Sequence, residues 1–162
     1  MPRHKFVSQQ SDKPGYAALR RFRNSIGGAE YFLTTNLQVR GSGLETENLR
    51  SAILSLWQRL QDEEYWQIRT AVVMPDHVHL LLCLGSEAEL AAGMRLFKGR
   101  VTPELRRSGL KWQEGFFEHR LRETEDVLPV FLYIYLNPYK AGLILPAQAT
   151  IARLKIGNGL EI

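Results

Sequence analysis

The run Val72-Val73-Met74-Pro75-Asp76-His77-Val78-His79-Leu80-Leu81-Leu82 constrains this chain more than any other stretch. It is strongly apolar, it is broken once by a Pro-Asp pair, and it carries two of the four histidines with one residue between them. Apolar, β-branched segments on either side of such a turn pair predict a hairpin: Tyr65–Met74, then the strand that starts at His77. Strand side chains alternate, so His77 and His79 project from one face and Val78 from the other, into a core. Two imidazoles held side by side at a strand start can bind a metal. They can equally be ordinary half-buried histidines, and the spacing alone leaves both readings open.

The segments around the hairpin complete a pattern. Gly27-Gly28 leads into Glu30–Val39, rich in aromatic and β-branched residues, which reads as a strand. Leu49, Ile53, Leu56, Trp57 and Leu60 recur at three- and four-residue steps and predict an amphipathic helix from Thr46, its N-cap, to Leu60. After the hairpin, Ser86 reads as the N-cap of a helix reaching Arg100 or beyond, with Leu90, Met94, Phe97 and Val101 buried. Arg95 and Lys98 lie on another face of it, facing phosphates or only water. Thr102-Pro103 is a place for this helix to kink or restart, and Ser108-Gly109 closes it. Trp112-Gln113 and Phe116–Arg122 read as extended, and a last helix spans Thr124 to Leu136, stopped by Asn137-Pro138. Strand, helix, strand, strand, helix, strand is the order of an α+β split β-α-β fold. That fold is a four-stranded antiparallel sheet with helices on one face and the other face free for a ligand, to which a C-terminal helix is added.

A chain of 162 residues suits one domain with a real core. The expected division is a basic N-terminal arm (1–25), a single domain (26–145) and a C-terminal tail (146–162). Six Lys/Arg against one acid in residues 1–25, and eight against three in residues 95–122, leave the rest of the chain net acidic. Positive charge gathered this way suggests an anionic polymer as partner. In the arm, Tyr16 and Phe22 interleave with Arg20, Arg21 and Arg23, a mixture suited to stacking on bases and pairing with phosphates, or equally to packing on the domain. No apolar run approaches membrane-spanning length, no signal peptide is expected, and the lone Cys83 fits a reducing cytoplasm.

A second constellation sits in the last helix, Phe131-Leu132-Tyr133-Ile134-Tyr135-Leu136-Asn137-Pro138. Tyr133 and Asn137, four apart, share a helical face, and Tyr135 lies on roughly the opposite side. Docked beside the sheet, this face would bring a phenol and an amide oxygen to the histidine pair. Packing tyrosines and a helix-ending Asn are the plainer alternative.

Taken together, Pro75-Asp76-His77-Val78-His79-Leu80-Leu81 resembles the His-hydrophobic-His motif of HUH single-strand DNA nucleases. The run Tyr133-Ile134-Tyr135-Leu136-Asn137-Pro138-Tyr139-Lys140-Ala141-Gly142-Leu143 is similar to the catalytic helix of single-tyrosine transposases. The REP-associated tyrosine transposases are the branch it most resembles. Tyr31–Thr34, Trp112-Gln113 and Phe116–Arg122 fit in the same order, so the likeness covers roughly residues 20–145. Pro146 to Ile162 replaces the aromatic-serine segment that many members carry.

This resemblance implies an HUH endonuclease fold and a metal-dependent single-strand DNA endonuclease and strand transferase acting on hairpin, REP-type palindromic DNA. It implies Tyr133 as nucleophile, forming a 5′-phosphotyrosine and freeing a 3′-OH. His77, His79 and Asn137 are then the ligands of a divalent Mg or Mn ion. His119, Arg95, Lys98, Arg120 and Arg122 are the candidates for supporting the site or contacting DNA, with a structural role favoured for His119. Asp76 reads as the turn residue, an orienting bond to His77 being the other option. A cytoplasmic, nucleoid-associated monomer or homodimer is expected. Two other readings remain: a non-catalytic nucleic-acid-binding module on the same sheet, and a histidine-metal hydrolase of small phosphoesters.

Overall fold

The computed structural model describes residues 24–143. The basic arm up to residue 23, with Tyr16 and Phe22, and the tail from residue 144 lie outside the described residues. The elements run β1 (Glu30–Asn36), α1 (Glu47–Asp62), β2 (Trp66–Val73), β3 (His77–Leu84), α2 (Leu90–Arg107), β4 (Phe117–Arg120) and α3 (Val127–Lys140). The four strands form one antiparallel sheet in the order β2-β3-β1-β4. This is the split β-α-β, ferredoxin-like α+β fold expected from the element order.

Alternation along the strands divides the sheet into two faces. Leu33, Ile68, Val78, Leu80 and Leu82 point to one side, where they meet the stripes of α1 (Leu49, Ile53, Trp57, Leu60) and α2 (Met94, Phe97, Val101, Leu105) in the main core. Phe32 and Leu81 point to the other side and pack with Leu121 and Ile134 in a second, smaller core. The second face is therefore not free, as the element order suggested. α3 lies across it, over β2 and β3. Its stripe of apolar residues needs burial as much as those of α1 and α2 do, and this face is the one left to supply it.

Three local expectations are corrected. α2 begins at Leu90 rather than at Ser86, and its first N–H is satisfied by Ser25 Oγ, which accepts from Leu90 N at 2.9 Å. It runs unbroken through Pro103 to Arg107, with the Thr102 hydroxyl donating to Lys98 O at 2.7 Å. α3 starts after Asp126, whose carboxylate accepts from Leu128 N–H, and Pro138 does not stop it. The Pro138 ring is buried, which offsets the lost N–H, and the helix runs on to Lys140 before Gly142 (φ +69°) turns the chain out. No helix among the described residues is long and apolar enough to cross a membrane.

Candidate active site

β3 carries His77 and His79 on the α3 side of the sheet and sinks Val78 into the main core. His79 sits between Thr34 on β1 and Val72 on β2, and His77 lies opposite Asn36 at the end of the β1 ladder. His79 is buried and His77 half-buried.

Each ring is held through its Nδ1. The carboxylate of Asp76 lies 2.6 Å from His77 Nδ1, and Thr34 Oγ1 lies 2.7 Å from His79 Nδ1. A carboxylate only accepts, so His77 Nδ1 carries the proton and its Nε2 keeps a lone pair. The Thr34 hydroxyl can accept in the same way from His79. Both Nε2 atoms then converge, 3.1 Å apart. Two nitrogens about 2.1 Å from one cation at a right angle are separated by about 3 Å, so the pair fits two neighbouring corners of a coordination shell.

Electrostatics favours the same state. Burial, then the facing His77 and the Arg40 guanidinium, push the His79 pKa down to about 3. The ring is neutral, as a metal ligand must be. Burial alone would raise the Asp76 carboxyl, but the His77 bond, the Gly41 N–H and Arg40 outweigh it and hold the group below its usual value. Asp76 is thus a partner of His77 and more than the turn residue that its place in the sequence suggests.

α3 brings the second half of the site. With Ile134 and Pro138 buried, Tyr133 is placed at the edge of the contact, its ring 5.5 Å from that of His79 and 5.9 Å from that of Phe32, edge to face in both cases. It remains 37% exposed, open to a polymer approaching from solvent. The histidines and the tyrosine of one and the same chain meet here. Lys140, two turns on, holds its ammonium 6.0 Å from the centre of the Tyr133 ring. Asn137 lies one turn beyond Tyr133, half-buried, and its side-chain amide makes no hydrogen bond to another described residue. Tyr135 belongs to a different row, stacked between Phe131 and Tyr139. Among the described residues no three His, Cys, Asp or Glu gather as a metal cluster, so a third protein donor beside the histidines would be of another type, as an Asn amide is.

The remaining candidates sit elsewhere. His119 shares the sheet face of the histidines but lies on β4 opposite Phe32, and its Nε2 is 3.0 Å from Glu125 Oε1. Glu125 also accepts from Arg122 N–H, so His119 and the turn into α3 share one carboxylate. Lys98 meets a loop of its own chain. Its ammonium donates to the carbonyls of Gln113 and Gly115, at 2.7 Å each, because that loop turns its backbone oxygens toward α2. Arg95 is exposed on α2, across the sheet from the histidines, and Arg120, opposite Tyr31, points to that same side. Arg122 is exposed just past β4. Thr34 and Arg40 are the participants that sequence reasoning missed. Each meets the site from more than thirty residues away in the chain; Thr34 lies in the Tyr31–Thr34 strand that fits the family, but nothing local gives either residue its role.

Residues 28–124 match the family described as IS200-like transposases. A REP-associated tyrosine transposase of Escherichia coli K12 is 34% identical over 128 residues, which cover 75% of this chain and 73% of that protein. A solved structure of a REP-associated tyrosine transposase bound to a REP hairpin superposes with a TM-score of 0.63 at 30% identity, over 75% of this chain and 73% of the other. A crystal structure from Deinococcus radiodurans, 16% identical, shares the fold with a TM-score of 0.51 over 75% of this chain and 95% of its own.

Proposed function

Because this chain belongs to the IS200-like transposases, in their REP-associated tyrosine branch, we propose that it cuts and rejoins single-stranded DNA beside a hairpin through a covalent bond to Tyr133. The family is one of DNA-cleaving and rejoining enzymes, which sets aside a purely binding module. The observation that carries the finer reading is the half-exposed Tyr133 ring standing 5.5 Å from His79, on the sheet face where the two imidazole nitrogens converge.

The Tyr133 oxygen attacks phosphorus in line, the new O–P bond replaces the bond to the 3′ oxygen, and that oxygen leaves as a 3′-OH. The 5′ side stays on the protein as a phosphotyrosine. The link conserves the phosphodiester, so a second 3′-OH reverses the step and joins strands. An ordinary phenol has a pKa of about 10, so its proton must pass to water or another base as the bond forms. His77 and His79, with the amide oxygen of Asn137, would hold a divalent Mg or Mn ion. Such an ion supplies neutralisation of the scissile phosphate and of the charge that develops in the transition state. Lys140 adds a positive charge beside the phenol, where a phosphate must come. The Tyr133 ring stands 5.5 Å from that of His79 within one chain, a placement that suits attack in cis. The hairpin partner is carried over from the structural relative, which was solved bound to a REP hairpin.

The test is to incubate the protein with an end-labelled hairpin bearing a single-stranded flank and Mn²⁺, then denature. A covalent protein–DNA band present in wild type and Tyr135→Phe, and absent in Tyr133→Phe, is the expected result. Cleavage without a covalent band would instead indicate hydrolysis by a metal-bound site, and a band that survives Tyr133→Phe would move the nucleophile elsewhere.

A further inference from the structure

Asp76 is held more firmly than a turn residue requires. Its Oδ1 meets His77 Nδ1 at 2.6 Å, and its Oδ2 accepts from both Arg40 Nε and Gly41 N–H, each at 2.9 Å. Arg40 in turn donates through a terminal nitrogen to Asn36 Oδ1, on the residue paired with His77 across the ladder. Gly41 aims its N–H at the carboxylate only by adopting φ +131°, a conformation that residues with a Cβ rarely take. The backbone doubles this lock: Leu37 N–H donates to Asp76 O at 2.8 Å and Leu44 N–H to Pro75 O at 2.9 Å. The loop between β1 and α1 is therefore fastened to the turn between β2 and β3, and Asp76 is the point where the two meet.

The chemistry of that arrangement is directional. One carboxylate oxygen is occupied by two donors from the loop, so the other is presented in a single orientation to the imidazole. A carboxylate free to rotate would offer His77 either oxygen, or water in its place. Metal-ligating histidines depend on such a partner to set their tautomer and ring angle. We infer that Arg40 and Asp76 form a positioning pair: Arg40 clamps the carboxylate, and the carboxylate holds His77 in the Nδ1–H tautomer with Nε2 turned to the cation. The consequence for the cation rests on the metal reading above, whereas the clamp itself is a property of the chain alone.

Two measurements on the whole protein separate them. The His77 Nδ1 proton, read by NMR without metal, should give a downfield resonance that exchanges slowly with water. It should be lost in Asp76→Asn, exchange several-fold faster in Arg40→Gln, and recover in part in Arg40→Lys, which returns one donor. Mn²⁺ binding, read from the signal of free ion in electron paramagnetic resonance, should weaken by about 10- to 100-fold in Asp76→Asn. A smaller, several-fold loss is expected in Arg40→Gln. Arg40 is half-exposed at the surface, so Arg40→Gln remains informative if Asp76→Asn fails to fold. An Arg40→Gln protein with wild-type proton exchange and wild-type Mn²⁺ affinity overturns the pair. Wild type that binds no Mn²⁺ yet shows the expected changes in proton exchange would remove the metal reading and leave the clamp standing.

Discussion

The Nε2 atoms of His77 and His79 stand 3.1 Å apart because the opposite nitrogen of each ring is already taken, one by Asp76 and one by Thr34. At that distance one proton can bridge the two nitrogens in the metal-free chain. The strand register and the two oxygen partners hold the rings in place, so the fold presents a geometry in which a cation can take that proton's position. Tyr133 then closes the third side of the same small space.

Binding of a cation should therefore be visible as stability. Mn²⁺ at a hundred times its dissociation constant adds about 2.7 kcal/mol to a protein with one site. For a domain of this size, that is a rise in Tm on the order of 5–10 °C. Thermal melts should show this rise in wild type and not in His79→Ala, and EDTA should reverse it. A wild-type Tm that ignores millimolar Mn²⁺ would speak against the site.

Acid should weaken the metal-free fold earlier than its carboxylates require. His79 stays neutral in the folded chain down to about pH 3, while in the unfolded chain it takes a proton near its ordinary 6.5. Between those values the unfolded state binds more protons, so the stability this ring permits is complete above pH 6.5 and is lost as pH falls. The loss approaches about 1.4 kcal/mol per pH unit, or about 2 kcal/mol by pH 5. Asp76, depressed below 3.8, adds its own loss only at lower pH. Urea midpoints compared at neutral and mildly acidic pH should fall in wild type and shift far less in His79→Gln.

Phe32 links the two halves of the site, touching His79, Phe117 and Tyr133 at ring-centre distances of 5.5, 5.8 and 5.9 Å. Truncating so buried an aromatic costs about 3–5 kcal/mol. In Phe32→Ala we expect a loss of that size in urea unfolding, together with slower formation of the covalent complex under conditions where the protein is still folded. A variant that loses stability but keeps the wild-type rate would confine Phe32 to packing.

Lys98 should behave as a loop fastener. Lys98→Met removes the two bonds to the carbonyls of Gln113 and Gly115. The expected outcome is faster hydrogen exchange around residues 111–116, with the salt dependence of DNA binding unchanged. A salt slope reduced by about one unit would make it a phosphate contact after all.

Much of this was written in local pattern. The alternation around His77-Val78-His79 placed both rings on one face, and the four-residue step from Tyr133 to Asn137 placed phenol and amide on one side of a helix. Period is a local quantity, so sequence carries it faithfully. What stayed hidden depends on residues far apart in the chain: Thr34 meets His79 across 45 positions, Arg40 meets Asp76 across 36, and Ser25 caps a helix 65 residues on. Lys98 was no more legible, because the carbonyls it meets lie 15 and 17 positions on. Pro138 misled, since its burial, which sequence does not display, decides whether the helix continues.

The modest size of the core under α3 has a consequence for timing. The sheet and its two long helices share one large buried cluster, whereas α3 is fastened by Ile134 and Pro138 over a few side chains of its own. A helix on the smaller cluster is expected to exchange its amide protons sooner than the strands beneath it. Tyr133 thus sits on the smaller of the two clusters, and the histidines on a strand that both clusters share. A strand of DNA laid across both would tie the two clusters together, and hydrogen exchange in α3 should slow when it binds.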